Sequence, residues 1–296
     1  MNKKGLIFFI LISIGIILFV EASSNGGYRI NNINIYRNTS AWELAKAVKS
    51  QNTKKIEKIA KRNPELLNYQ DPKYEATLLL WAVGMEKYES AEALLKCGAD
   101  PNINSTLYGT ALYEAAGYSF IDNDFKKDPK YVKLLLENGA DPNINLIGSE
   151  DRYPYPGTSP LMRSIGCGIE KTKLLVEYGA DINYITDTGY SAVYITLLQD
   201  QECEYAYYLI VEKKAKVTEP YLIEKSDEGE EKYYLVRILR NWIYDLNSKE
   251  YKMKMEIVDE FKRQGLDYWD TEIPEDRLSQ IKKIYPDTWE DYIKKY

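Results

Sequence analysis

Catalysis needs side chains that attack, shuttle protons or hold a metal, and this chain offers few of them. It contains no histidine, which removes the His-dependent nucleophile relays and the usual zinc and haem ligand sets. Its three cysteines, Cys97, Cys167 and Cys203, stand far apart. An odd number at that spacing is neither a metal-ligand pattern nor a disulfide framework. Carboxylates cluster at Asp122 and Asp124 and from Glu228 to Glu231, but nothing in the sequence fixes two of them in a dry pocket, as glycoside hydrolysis requires. Gly166-Cys167-Gly168 is too short and wrongly placed to cradle a phosphate. The reading is of no enzyme, no cofactor and no metal site. What the chain has in excess is tyrosine, 27 copies against 6 Phe, a side chain that buries much area at small entropy cost in an interface. An AT-rich genome would produce the same bias.

At 296 residues the chain is long for one core, so two domains or a repeat array is expected. Apolar content of 45% argues for a folded protein, and the net charge of −6 argues against nucleic acid as a partner. Lys3 and Lys4 precede an apolar run from Leu6 to Val20 that would reach about 22 Å as a helix, short of the roughly 30 Å membrane core. With Val20-Glu21-Ala22 following, residues 1–22 fit a secretory signal cleaved after Ala22, with an uncleaved anchor as the competing reading. Either reading exports the body of the chain, to the periplasm or beyond, and only this segment would meet a membrane. Cleavage would take the net charge to −7. Residues 23–40 read as a flexible lead-in.

The elements that position everything else come from self-comparison. Gly98-Ala99-Asp100-Pro101-Asn102-Ile103 recurs as Gly139-Ala140-Asp141-Pro142-Asn143-Ile144 and as Gly179-Ala180-Asp181-Ile182-Asn183. Weaker echoes stand at Lys214-Ala215-Lys216 and Gly265-Leu266-Asp267. A second phrase alternates with it, beginning at Thr77, Thr110, Ser159 and Ser191. Thr77 to Thr110 is 33 residues, divided as 21 to Gly98 and then 12. A Ser or Thr there can cap a helix start, and a Gly can take the left-handed conformation that stops one. Both phrases resemble the ankyrin repeat, whose Thr-Pro-Leu-His start and Gly-Ala-Asp end they match with substitutions. Leu80, Tyr113, Met162 and Tyr194 replace the family histidine. The resemblance covers residues 41–217 and implies an all-α ankyrin-repeat solenoid of stacked helix pairs with short β-hairpin fingers.

The expected leading cap is residues 41–68, with Leu44, Val48, Ile56 and Ile59 facing inward and Asn63-Pro64 ending its second helix. Residues 218–296 read as a degenerate repeat and helical C-terminal cap. It would contain an acidic turn from Asp227 to Glu231, an amphipathic helix carrying Leu235, Ile238, Leu239, Trp242, Ile243 and Leu246, a second helix closing at Gly265, and one or two short helices after Pro274. Two segments exceed the repeat count by about eight residues. One, around residues 118–129, lengthens a helix-to-helix turn, and the other, around residues 146–156, lengthens a finger.

The ankyrin resemblance implies a protein partner docked on the concave side, against finger tips and first-helix faces. The matching positions are Tyr74, Met85, Tyr108, Tyr118, Tyr155 and Tyr190, and the two insertions add Phe120 and Tyr153. Cys97 reads as a partly exposed thiol. A bridge between Cys167 and Cys203 would strain against the 8–10 Å spacing of packed helices, roughly, when a disulfide needs Cα atoms within about 7 Å. The leading expectation is a monomeric, extracytoplasmic protein-binding module. The alternatives are a purely structural spacer, or an inhibitor-type protein, by resemblance to the exported bacterial ankyrin proteins that accompany a toxin or an oxidative-stress enzyme.

Overall fold

Each recurring Ser or Thr stands where a helix begins. In a computed structural model describing residues 31–118, 127–148, 155–199, 202–226 and 229–296, the Thr77, Thr110, Ser159 and Ser191 hydroxyls each accept the main-chain N–H three residues on, at 3.0–3.1 Å. That bond satisfies one of the donors a helix start leaves without a partner. The chain divides into two compact units, Met1–Ala99 and Asp100–Tyr296. The proposed export segment lies outside the described residues, and no helix among those described is long and apolar enough to cross a membrane.

The first unit holds a 3-10 turn at Ile33–Tyr36, then α1 (Trp42–Lys49), α2 (Thr53–Arg62), a 3-10 turn at Pro64–Asn68, α3 (Leu78–Gly84) and α4 (Tyr88–Lys96). Leu44, Val48 and Ile56 are fully buried, as the cap reading requires, while Ile59 is half-buried. The α1–α2 pair joins the α3–α4 pair through apolar packing and one buried bond, Ser90 Oγ donating to the Val48 carbonyl at 2.7 Å.

The second unit continues with α5 (Ala111–Ala116) and α6 (Lys130–Glu137), α7 (Pro160–Ser164) and α8 (Ile169–Glu177), and α9 (Ala192–Leu197) and α10 (Cys203–Ala206), which runs on as a π turn at Tyr207–Glu212. First helices pack on first helices (α5, α7, α9) and second on second (α6, α8, α10). Leu112, Val132, Leu135, Leu175, Leu197 and Leu209 lie between them with no exposure. A single pair could not cover these side chains, so burial couples neighbours.

The Gly-Ala-Asp-x-Asn phrase closes each pair. Gly98, Gly139 and Gly179 take φ of +97°, +85° and +91°, stopping their helices. The alanine after each is buried. Asp100, Asp141 and Asp181 each accept the N–H two residues on at 2.8 Å. The asparagines then bridge repeats. Asn102 Nδ2 donates to the Gly139 carbonyl (3.0 Å) while its Oδ1 accepts from Asp141 N (2.8 Å). Asn143 does the same to Gly179 and Asp181, and Asn183 accepts from Lys216 N at 2.8 Å. The weak echo is a true one: Lys214 takes the glycine's place with φ +58° and Ala215 is fully buried.

The tail departs from its reading in two places. Instead of lying in an acidic turn, Glu230 and Glu231 belong to β2 (Gly229–Tyr234), which pairs antiparallel with β1 (Pro220–Ser226). Leu235–Asn241 is a 3-10 helix, and no helix reaches Leu246. Trp242 leaves the helical path because its Nε1 donates to the Leu197 carbonyl (2.9 Å) and its own carbonyl accepts from the buried Lys254 Nζ (2.8 Å). The expected second helix is α11 (Lys249–Arg263), closed at Gly265 with φ +95°. The 3-10 segment packs on α9 and α11 packs on α10, so together they fill the places of one further pair. Helices α12 (Glu275–Ile284) and α13 (Trp289–Ile293) follow, with Ile281, Tyr292 and Tyr296 at the centre of their cluster.

Candidate protein-binding surface

The fingers are the segments between one pair's stop and the next pair's cap. In the second unit the first finger closes through mutual hydrogen bonds between Ser105 and Gly109, at 2.9 and 3.0 Å. In the second, Leu146 N donates to the Thr158 carbonyl (3.0 Å) and Gly157 N to the Leu146 carbonyl (2.9 Å), closing the neck of the expected insertion. The third is pinned by Thr186 N on the Tyr190 carbonyl, 2.8 Å. The fourth is the β1–β2 hairpin. These four fingers touch in sequence. Gly148 N donates to the Thr106 carbonyl at 3.1 Å. A Cβ on Gly157 would stand 3.1 Å from the Tyr184 hydroxyl, and one on Gly189 would stand 2.9 Å from the Tyr221 carbonyl oxygen. Tyr194 at the start of α9 stacks on Tyr221 of β1, with ring centroids 5.2 Å apart.

The row is unusually apolar for a solvated edge. Nine large apolar side chains are exposed among the described residues, and six of them stand in these fingers: Leu107, Ile147, Tyr155, Ile185, Leu222 and Ile223. Exposed apolar groups that gather in one place, instead of scattering, mark an interaction surface.

The residues expected to bind divide by topology. Tyr108, Tyr155 and Tyr190 stand in fingers, before a first helix begins. Tyr155 is the most open at 46%, and Tyr190 is half-buried edge-on to Tyr194. Tyr118 follows α5 and so lies at its other end, about 9 Å away along the six-residue helix. Its hydroxyl donates to the Gly166 carbonyl, where it ties one helix-to-helix turn to the next. Lys127, the described far end of that insertion, pairs with Glu202 at 3.0 Å, and its carbonyl lies 2.8 Å from where a Gly168 Cβ would stand. Lys171 is buried beside them, its Nζ donating to the Gly117 carbonyl at 2.6 Å, and burial lowers its pKa. In the first unit, Tyr74 stands in the finger before Thr77 and Met85 caps the end of α3, both half-buried. Phe120 and Tyr153 lie outside the described residues. The aliphatic members of the row were missed because an isolated Ile or Leu reads as core.

Other chemistry stays dispersed. Cys97, Cys167 and Cys203 are all free thiols, the latter two buried, and burial raises the pKa of each. Among the described residues no three Cys, Asp or Glu side chains are placed to hold a metal.

Capped helix pairs, left-handed stops, an asparagine ladder and a row of fingers together give the chain the repeat fold of ankyrin proteins. No family model matches the chain. It is 33% identical over 97 residues to Protein PhlB of Serratia liquefaciens, a stretch covering 33% of this chain and 36% of that protein, so the match spans about a third of the relative. Among solved structures, the ankyrin repeat protein EF0377 aligns over 75% of this chain and 98% of its own, with 21% identity and a TM-score of 0.49.

Proposed function

We propose that the chain is an exported protein-binding module that holds its partner against the finger row of its second unit. The ankyrin-repeat fold is generally a protein–protein interaction module and is typically non-enzymatic. The observation that carries the proposal is the gathering of Leu107, Ile147, Tyr155, Ile185, Leu222 and Ile223 along four touching fingers. Export rests on Lys3, Lys4 and the apolar run to Val20, and N-terminal sequencing of protein recovered outside the cytoplasm tests it. A start at Ser23 supports a cleaved signal, and retention of the whole chain in the cytoplasm refutes export.

The binding test is crosslinking capture from the native compartment with the unaltered chain and with I147S/Y155S/I185S. About half of each side chain is exposed, 52%, 46% and 42% in that order, so the fold should tolerate the change, with a melting curve as the check, and captured material should fall by about tenfold or more. Equal capture by both chains, at equal stability, would leave the fingers as spacer elements.

A further inference from the structure

The fourth finger carries an arrangement that the fold itself does not need. In the β1–β2 register Glu224 stands directly opposite Glu231, and Leu222 opposite Tyr233. Residues directly opposite and those two apart along a strand share one face of a hairpin, so these four side chains form one face. Like charges directly opposite destabilise a sheet, with Cβ atoms roughly 4.5–5.5 Å apart. Here both carboxylates are exposed, and neither enters an ion pair among the described residues. The Tyr233 hydroxyl donates to Glu224 Oε2 at 3.2 Å. Hydrogen bonding to Glu231 first, then desolvation and hydrogen bonding to Glu224, push that phenol up to about 12. One hydroxyl proton cannot offset two carboxylates. Arg237 reaches the ring of Tyr233, 4.8 Å from its centroid. Leu222 stands 43% exposed beside them.

The rest of the row has the same sign. Residues 100–110, 141–158, 181–191 and 216–234 hold twelve carboxylates and four basic side chains, a net −8, while the whole chain is −6. The remainder of the chain is therefore +2. The described residues of these segments alone hold eight carboxylates against three basic side chains, a net −5.

We propose that the hairpin face formed by Leu222, Glu224, Glu231 and Tyr233 receives a lysine or arginine of the partner, so that the finger row selects a basic, amphipathic polypeptide segment. The cation would sit between the opposed carboxylates and relieve their repulsion, with an apolar neighbour of the partner lying on Leu222. Complementary charge of this kind steers encounter and rejects acidic competitors. The proposal rests on the finger-row reading and narrows it to one chemical class of partner.

The test uses two short labelled peptides, one alternating Lys with Leu and one alternating Glu with Leu, titrated with the full chain by fluorescence anisotropy at low and at physiological salt. The Lys–Leu peptide should bind, more weakly as salt rises, and the Glu–Leu peptide should not. E224Q/E231Q should weaken Lys–Leu binding by about tenfold and leave the melting temperature equal or higher, because the repulsion is gone. E170Q/E177Q, on α8, removes the same charge elsewhere and should stay within about twofold. Equal binding of both peptides, no binding of the Lys–Leu peptide, or equal losses in the two double variants would each overturn the proposal. If a captured native partner is lost by I147S/Y155S/I185S but held by E224Q/E231Q, the fingers bind and the cation receptor falls. If it is held by both, the finger-row reading falls as well.

Discussion

Asn143→Ala tests whether the asparagine ladder holds adjacent repeats together. Asn143 is exposed and makes two bonds across the repeat boundary, donating to the Gly179 carbonyl at 3.0 Å and accepting from Asp181 N at 2.8 Å. A net intramolecular hydrogen bond contributes about 0.5–1.5 kcal/mol, nearer the low end where water can take over. Losing both should cost about 1–2 kcal/mol, a fall in melting temperature of roughly 2–8 °C for a domain of this size. Asn183 supplies the internal control, because it accepts one ladder bond, from Lys216 N at 2.8 Å. Asn183→Ala should cost about half as much, about 0.5–1 kcal/mol. Urea unfolding followed by circular dichroism measures both, with the slope m compared among variants so that a change in cooperativity is not mistaken for a change in stability. Hydrogen exchange at Asp181 N should accelerate in Asn143→Ala and at Lys216 N in Asn183→Ala. The reasoning fails if Asn183→Ala costs as much as Asn143→Ala, or if the Asp181 amide keeps its protection.

Thr110→Val should cost about 1–2 kcal/mol by urea melting while Thr110→Ser stays within about 0.5 kcal/mol, because the buried hydroxyl caps Tyr113 N at 3.1 Å and valine removes the acceptor while keeping the shape. Gly168→Ala should cost about 1–3 kcal/mol in the same assay, since φ is +123° and the new Cβ would stand 2.8 Å from the Lys127 carbonyl oxygen. Gly98→Ala, with no atom within 4 Å of its new Cβ, should cost less, through φ +97° alone. Lys254 is fully buried, and desolvation together with the Arg240 charge holds its pKa well below the ordinary 10.5. Between that lowered value and the ordinary one the unfolded chain binds a proton that the folded chain gives up, so this group's contribution to stability rises with pH across that window and is lost as pH falls through it. As pH rises towards that ordinary value, the stability of the native chain should rise relative to Lys254→Met, and parallel pH profiles for the two proteins would refute the assignment.

The parts of the fold legible in the sequence are those whose chemistry is local. A Thr or Ser hydroxyl finds its N–H three residues away, and a stop glycine needs only its own φ, so Thr110 and Gly139 announce a helix start and a stop wherever they stand. The hairpin and the short helix after it were not legible in the same way. Leu235, Ile238, Leu239 and Trp242 have helical spacing, but Trp242 is claimed by the Leu197 carbonyl 45 residues earlier and by Lys254 on α11, partners that no local pattern announces. The strand signal was present in Tyr221-Leu222-Ile223 and Tyr233-Tyr234 around Gly229, masked by the acidic run between them. The candidate site was half legible. Tyr118 and Tyr155 look alike in sequence, yet the Tyr118 hydroxyl is tied to the Gly166 carbonyl 48 residues away while Tyr155 keeps 46% of its surface exposed, a difference set by tertiary placement.

The same phrase that specifies the repeat also prepares the surface. Asn102, Asn143 and Asn183 fasten the base of each finger to the next repeat through side-chain bonds to main chain, so the tips are placed by bonds below them as well as by the contacts between neighbouring fingers. Ile147, Ile185 and Leu222 can therefore remain in water without loosening the array. A partner meeting fingers already fixed at the base loses less conformational entropy on binding than one meeting free loops. Asn143→Ala should then weaken capture by the fingers as well as stability, although Asn143 lies at the base of the row. Loss of capture with the folded population held constant by low temperature would tie the ladder to function, and undiminished capture would show that the fingers are held in place by their own contacts.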